Sequence, residues 1–338
     1  MAASPAASVP KPVLTTSEAE RVFEQYGRVN ASADASLDIS AIREVQTGVL
    51  LRESRTVYRL HRKAGAHDKA VRSARPRFVI PAVQPGTGYP RFFVVLSKRK
   101  GDEKDRASQL RYFVQKRPHG PWRATAATWA LTEPLGKPPA SDPSPVPTST
   151  AKDGSVHISF RPKQLPDFRR SAAGGVQLST TAAADRAICD AFADFLSFSP
   201  PHGHSNDNRF AKGPFTTGLV SFYNHGADKN FASTLSSRKV GTPLPVFRLT
   251  NGSALVGCTL EQTYRVAGTG PDDTVAYDEG SDIDLALADD GRDWHSVEVV
   301  SSMTVLIEVP PAEASPATVL ASDGYDPSLL SASGVGVG

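Results

Sequence analysis

The chain has 338 residues, 39% of them hydrophobic and 22% charged, with 38 Lys and Arg against 35 Asp and Glu. A single core seldom grows much beyond roughly 200 residues, so this length and near-average composition imply two folded units and exclude a disordered polyampholyte. No apolar run reaches the ~20 residues that a bilayer-spanning helix requires, so no membrane-spanning segment is expected in a chain read as soluble.

Residues 1–14, rich in Ala, Ser and Pro without a basic and then apolar stretch, read as a flexible leader and not a signal peptide. Residues 15–132 form a first α+β unit. Thr15, Thr16 and Ser17 ahead of Glu18 and Glu20 start a helix whose apolar face carries Ala19, Val22, Phe23, Tyr26 and Val29. Asp38 opens a second helix with Ile39, Ile42 and Val45 in register, and a third runs over 47–63. The period then changes to that of strands at 77–83, 91–99, 109–116 and 122–131, separated by Pro/Gly or charged turns.

Residues 133–155, with six prolines among Ser and Thr, read as a linker. The order then repeats over 156–311: an apolar segment at 156–160, then a helix with Ile188, Phe192, Phe195 and Leu196 on one face. An interrupted segment at 215–239 precedes strands at 246–249, 255–266, 274–287 and 294–309. Thr259, Glu261, Thr263 and Arg265 are read as the wet face of their strand. Residues 312–338 are left as a C-terminal tail.

Charge divides the halves. Residues 43–123 hold 20 Lys and Arg against 6 Asp and Glu, whereas residues 264–326 hold 2 against 14. Three readings follow: two solvated faces, docking of the basic unit on the acidic one, or a polyanionic partner. The candidates for anion or partner binding are Arg91, Lys98, Arg99, Lys100, Lys116 and Arg117. Nucleic acid ranks lowest among polyanions, because Phe92, Phe93, Tyr112 and Phe113 read as strand core.

Motifs for chemistry are few. The sequence contains no phosphate-cradling Gly-rich loop with its lysine, no GxSxG and no HExxH, so neither catalytic residues nor a cofactor is assigned. His202, His204, Asp207 and His225 supply metal-ligand types in a loose Pro/Gly loop, and 278–284 superficially resembles a calcium loop, although its glycine and closing glutamate are not at EF-hand positions. Both read as exposed polar segments, and no metal site is expected. Asp34, Asp38 and His61 suit a cavity or helix caps. Cys189 and Cys258 are either two buried thiols or a disulfide.

Four segments carry a resemblance: Tyr89-Pro-Arg-Phe-Phe-Val-Val, Gly120-Pro-Trp-Arg, Leu249-Thr-Asn-Gly-Ser-Ala-Leu-Val and Val309-Pro-Pro-Ala. In this order the chain resembles a family of unknown function of secreted or membrane-anchored proteins from high-GC Gram-positive bacteria. The resemblance implies two tandem cone-like modules similar to nuclear-transport-factor-like and cystatin-like folds, each with helices packed on a curved antiparallel sheet. It also implies an extracellular or cell-envelope location, and it transfers no catalytic residue. The expected function is non-catalytic binding of a protein or of an anionic envelope polymer or lipid headgroup. The alternative is an enzyme or small-molecule carrier using the cavity of one module. Side chains such as Phe93, Phe113 and Trp129 would fill the cones in the first case.

Overall fold

The computed structural model describes residues 9–66, 72–84, 86–102, 104–134, 162–172, 174–204, 206–287, 293–311 and 315–337. The expected linker, apart from residues 133 and 134, and the apolar segment at 156–160 lie outside the described residues.

Within the expected leader, β1 (Lys11–Pro12) pairs with a later strand and Leu14 is buried. Helix α1 (Thr16–Ser36) starts at a capping box: the Thr15 hydroxyl accepts from the Glu18 N–H at 3.2 Å, and Glu18 Oε2 accepts from the Thr15 N–H at 2.7 Å. Helix α2 (Ile39–Val45) is capped by Asp38, whose carboxylate accepts from the N–H groups of Ser40 and Ala41. Helix α3 (Gly48–Ala64) ends at Gly65, which takes the left-handed conformation that glycine adopts without strain.

Strands β2 (Ser73–Val79) and β3 (Pro81–Val83) are followed by β4 (Arg91–Arg99), β5 (Ala107–Gln115) and β6 (Trp122–Leu131). Four of these form an antiparallel sheet in the order β2-β4-β5-β6. Alternation sends Phe93, Val95 and Phe113 towards α1–α3, where they meet Phe23, Tyr26, Ile42 and Tyr58. Trp129, expected among the filling side chains, is instead 36% exposed.

The second half opens with β7 (Val176–Gln177), which pairs with β3 and completes a small sheet ordered β1-β3-β7. Helices α4 (Ala182–Asp185) and α5 (Ala187–Phe195), a π-helical turn at Pro214–Gly218 and α6 (Leu219–His225) follow. Next come β8 (Phe231–Lys239), β9 (Val246–Arg248), β10 (Ala254–Gly268), α7 (Asp282–Leu287), β11 (Trp294–Val309), β12 (Thr318–Ser322) and β13 (Ser328–Gly336). The larger sheet runs β12-β11-β10-β8, with β13 also on β11 and β9 also on β10. Val256, Cys258, Leu260, Val305 and Ile307 pack against Phe192, Leu196, Leu219 and Val220 of the helices. Cys189 on α5 and Cys258 on β10 are joined in a disulfide with Cα atoms 5.5 Å apart.

The chain is therefore α+β, and the two sheets lie face to face. The side of the first sheet away from its helices carries Val94, Leu96, Leu110, Tyr112 and Val114. These share one core with Leu244, Phe247, Leu249, Leu255, Leu306 and Leu320 of the second half. Gly257 permits a close approach: a Cβ there would stand 2.9 Å from both the Tyr112 hydroxyl and Leu244.

The structure corrects three expectations. Thr259 and Glu261, read as a wet face, are each only 6% exposed, because the strand face they occupy turns towards the first half. Residues 318–322 and 328–336 are sheet strands and not a tail, since β11 is long enough to pair with both β12 and β13 along one edge. The strand expected over 274–287 contains α7, whose Ile283 and Leu287 pack on a satellite cluster around Trp294.

A core shared by both halves makes them cooperative. Leu110→Ala should cost about 2–5 kcal/mol and shift one common unfolding transition. Urea titration of variants keeping only Trp122 or only Trp294 checks this, and two separable transitions would contradict it.

Candidate functional site

The six cations singled out from the sequence fall into two groups. Arg91 begins β4 and pairs with Gln115, so Lys116 and Arg117, both exposed, stand at that end of the sheet. Arg91 itself lies over the Tyr89 ring at 4.7 Å. Lys98, Arg99 and Lys100 are at the other end of β4, about 25 Å away for a nine-residue strand.

At this second end β2 contributes further cations. Ser73 pairs with Arg99 and Ala74 with Lys98, and the Lys100 N–H donates to the Arg72 carbonyl at 2.8 Å. Arg72, Arg75, Arg77, Lys98, Arg99 and Lys100 thus form a basic corner beside Asp102, Asp105 and Glu133. Lys98 is buried and occupied: its ammonium pairs with Glu133 at 3.0 Å and donates to the Asp105 carbonyl. The hydrogen bond from Lys98 holds the Glu133 carboxyl below its ordinary range, and the charges of Arg77 and Arg75 add to this. Arg99 reaches Asp102 only at 4.0 Å and lies over Trp129 at 6.0 Å. Among the described residues no carboxylate approaches Arg72, Arg75, Arg77 or Lys100 within 4 Å.

Arg72 also belongs to a cleft of about 690 Å³ lined by α1, β2 and β5. Its walls include Phe23, Tyr26, Ala31 and Pro76, with Arg28, Arg72 and Arg111 as cations and Glu24 as the acid. Arg111 was not among the residues singled out. The signal was nevertheless present, because period-two alternation puts it on the same face of β5 as the core residue Phe113, where an arginine is out of place. Its guanidinium lies over the Tyr26 ring at 4.5 Å and donates through Nη2 to Gln109, while its Nε is closed off from solvent and meets no partner. Tyr26 is fixed by edge-to-face packing on Phe113 at 5.5 Å and by Gln46, which in turn bonds Asn30 and Ser54.

The other candidates serve structure. Asp38 is a cap, and Asp34 accepts from Asn30 at 2.6 Å and Tyr58 at 2.5 Å. His61 lies in the last turn of α3. His202 sits in a turn, Gly203 is clamped by Asn224, and the His225 ring bonds Ser221 on its own helix. Asp207 holds Arg209, and Asp284 accepts from the Gly280 N–H. Among the described residues no group of three or more His, Cys, Asp or Glu is arranged to hold a metal ion. No described helix is long and apolar enough to cross a membrane, which leaves β-barrel insertion unaddressed.

Three carboxylates are enclosed where the halves meet. Glu261 on β10 is penalised by burial, but hydrogen bonds from Arg52 of α3 and from Arg238 outweigh that and keep its carboxyl below the usual range. Glu53, also on α3, accepts from the Ser302 hydroxyl at 2.6 Å; burial pushes it up to about 7, with the Asp323 charge adding. Asp323 accepts from Thr128 and the Thr304 N–H, and burial pushes it up to about 6, with Asp326 adding.

Raised carboxyl pKa values give stability that is complete below the unfolded value near 4 and is lost as pH climbs through the folded values of about 6 and 7. Glu53→Gln should therefore match the parent at pH 4 and exceed it at pH 8 by about 1–3 kcal/mol. Urea midpoints at the two pH values decide this, and an unchanged pH dependence would refute it.

No curated protein and no solved structure matches the chain. Residues 10–142, which span the helices and sheet of the first half together with the basic corner and the cleft, match the model of a family described as a domain of unknown function (DUF8094).

Proposed function

We propose that the chain is a non-catalytic binding protein of the cell envelope whose basic corner grips an anionic envelope component. The observation that carries this reading is the gathering of Arg72, Arg75, Arg77, Arg99 and Lys100 at one sheet end, where, among the described residues, the one ion pair made by any of the five is that of Arg99 with Asp102 at 4.0 Å. Uncompensated guanidinium and ammonium groups in one place raise the local concentration of a polyanion and recognise its carboxylates or phosphates.

The architecture proposed with it is a tandem of two cone-like modules of the nuclear-transport-factor-like and cystatin-like kind. Support comes from the chain order: apart from α7, which lies between β10 and β11, each half places its helices ahead of its main antiparallel sheet, with helices packed on one sheet face. The extracytoplasmic location is supported by the Cys189–Cys258 disulfide, a bond that persists in oxidising compartments and is rare in reducing ones. The cleft at Arg111 favours a second reading, a carrier of a small anionic molecule.

Inorganic polyphosphate serves as the probe for the first reading. Its affinity should fall steeply with salt, since exposed charges are screened beyond about 8 Å at physiological ionic strength. Arg99→Glu combined with Lys100→Glu should weaken binding at least tenfold, whereas Lys116→Glu combined with Arg117→Glu should change it less than twofold. Equal effects at the two ends, measured by fluorescence anisotropy, would remove the corner from consideration.

A further inference from the structure

We infer that the cleft between α1, β2 and β5 binds a single-tailed organic carboxylate, with Arg111 receiving the head group and Phe23, Tyr26 and Pro76 receiving the apolar body. The inference deepens the anion-binding reading and rests on it only for the sign of the ligand's charge.

The volume of about 690 Å³ is in the range of small-molecule sites and is too confined for a folded partner. The charge around it is one-sided, with Arg28, Arg72 and Arg111 against Glu24. Arg28 and Arg72 are exposed and carry no ion pair among the described residues, so they attract an anion without fixing its position.

Arg111 is different. Its guanidinium carbon stands 4.5 Å from the Tyr26 ring centroid and its Nη2 donates to Gln109, so its orientation is set before any ligand arrives. Its Nε–H is removed from solvent yet donates to nothing, and an unmet buried donor of this kind costs about 1–3 kcal/mol. A carboxylate in the cleft matches the planar fork of this guanidinium. A neutral polar ligand would leave the charge uncompensated, and a cation would be repelled.

The body of the ligand follows from the walls. Phe23 is 9% exposed and Tyr26 5% exposed, so each presents only part of its ring to the cleft, and Pro76 faces them from β2. This surface suits an alkyl chain or a flat ring better than a second charged group. Two anion sites are thus inferred: an open corner for extended polyanions and a half-open cleft for an amphiphile, with Arg72 at their junction.

The experiment titrates the full chain with dodecanoate and with dodecanol, below their aggregation limits, by isothermal calorimetry. Dodecanoate should bind one to one and at least tenfold more tightly than dodecanol. Arg111→Met should weaken dodecanoate at least tenfold, Arg111→Lys should weaken it less, and Ala31→Trp, which fills the cleft from α1, should abolish binding. Polyphosphate binding should persist in all three variants, which shows that they fold. Equal affinity for the acid and the alcohol, no saturable binding of dodecanoate, or an Arg111→Met variant that binds like the parent would overturn the inference. Loss of polyphosphate binding in the corner variants with dodecanoate binding retained supports the cleft. Insensitivity of polyphosphate to those corner variants overturns the corner reading alone.

Discussion

Tyr112 and Gly257 meet where the two sheets face each other, and much of the remaining structure depends on that contact. An antiparallel sheet buried on one side needs only one layer of helices, but here each sheet is apolar on both faces. Leu110, Tyr112 and Val114 alternate with Phe113 along β5, and Leu255 alternates with Val256 and Cys258 along β10. Helices cover one face of each sheet, and the other faces cover each other. The result is four layers in the order helices, sheet, sheet, helices, in which neither half can leave without exposing the face that the other shields.

That arrangement also dictates where polar groups are enclosed. Helix α3 belongs to the first half but lies beside strands of the second, with Arg52 on Glu261, Glu53 on Ser302, the Thr56 hydroxyl on the Leu330 carbonyl and Lys63 on the Leu285 carbonyl. One ion pair, Arg52 with Glu261, thus joins the halves along α3, beside hydrogen bonds to a hydroxyl and to two carbonyls.

Local signals in the sequence located most of the first half. Thr15 with Glu18, Asp38, and the 91–99 and 122–131 runs mark elements by capping chemistry and by period, both of which operate within a few residues. What stayed hidden depended on distant partners. Glu261 looks solvated until Arg52, 209 positions away, reaches it. Residues 328–336 contain Ser, Gly and Ala in a pattern with no strand signal of their own, and β11 orders them. The run 282–287 alternates acid and apolar residues as a strand would, yet packing around Trp294 selects a short helix. The candidate site was half legible: local charge density marked Lys98, Arg99 and Lys100. The separation of Arg91, Lys116 and Arg117 from them required the register of β4 on β5.

Strand β2 is irregular where it borders the cleft. Its register against β4 shifts between Ala74 and Arg77, Arg75 takes a left-handed conformation with φ of 49°, and Pro76 follows. A bulge of this kind bends an edge strand away from its sheet, and a proline removes a donor from the edge. Both features, with the charges of Arg75 and Arg77, oppose pairing by an incoming strand. The same segment that blocks strand addition lines the opening beside α1 with Ser73 and Pro76. The edge made unfit for another chain thus stands next to the half-buried Arg111, the cation at the centre of the proposed small-anion site.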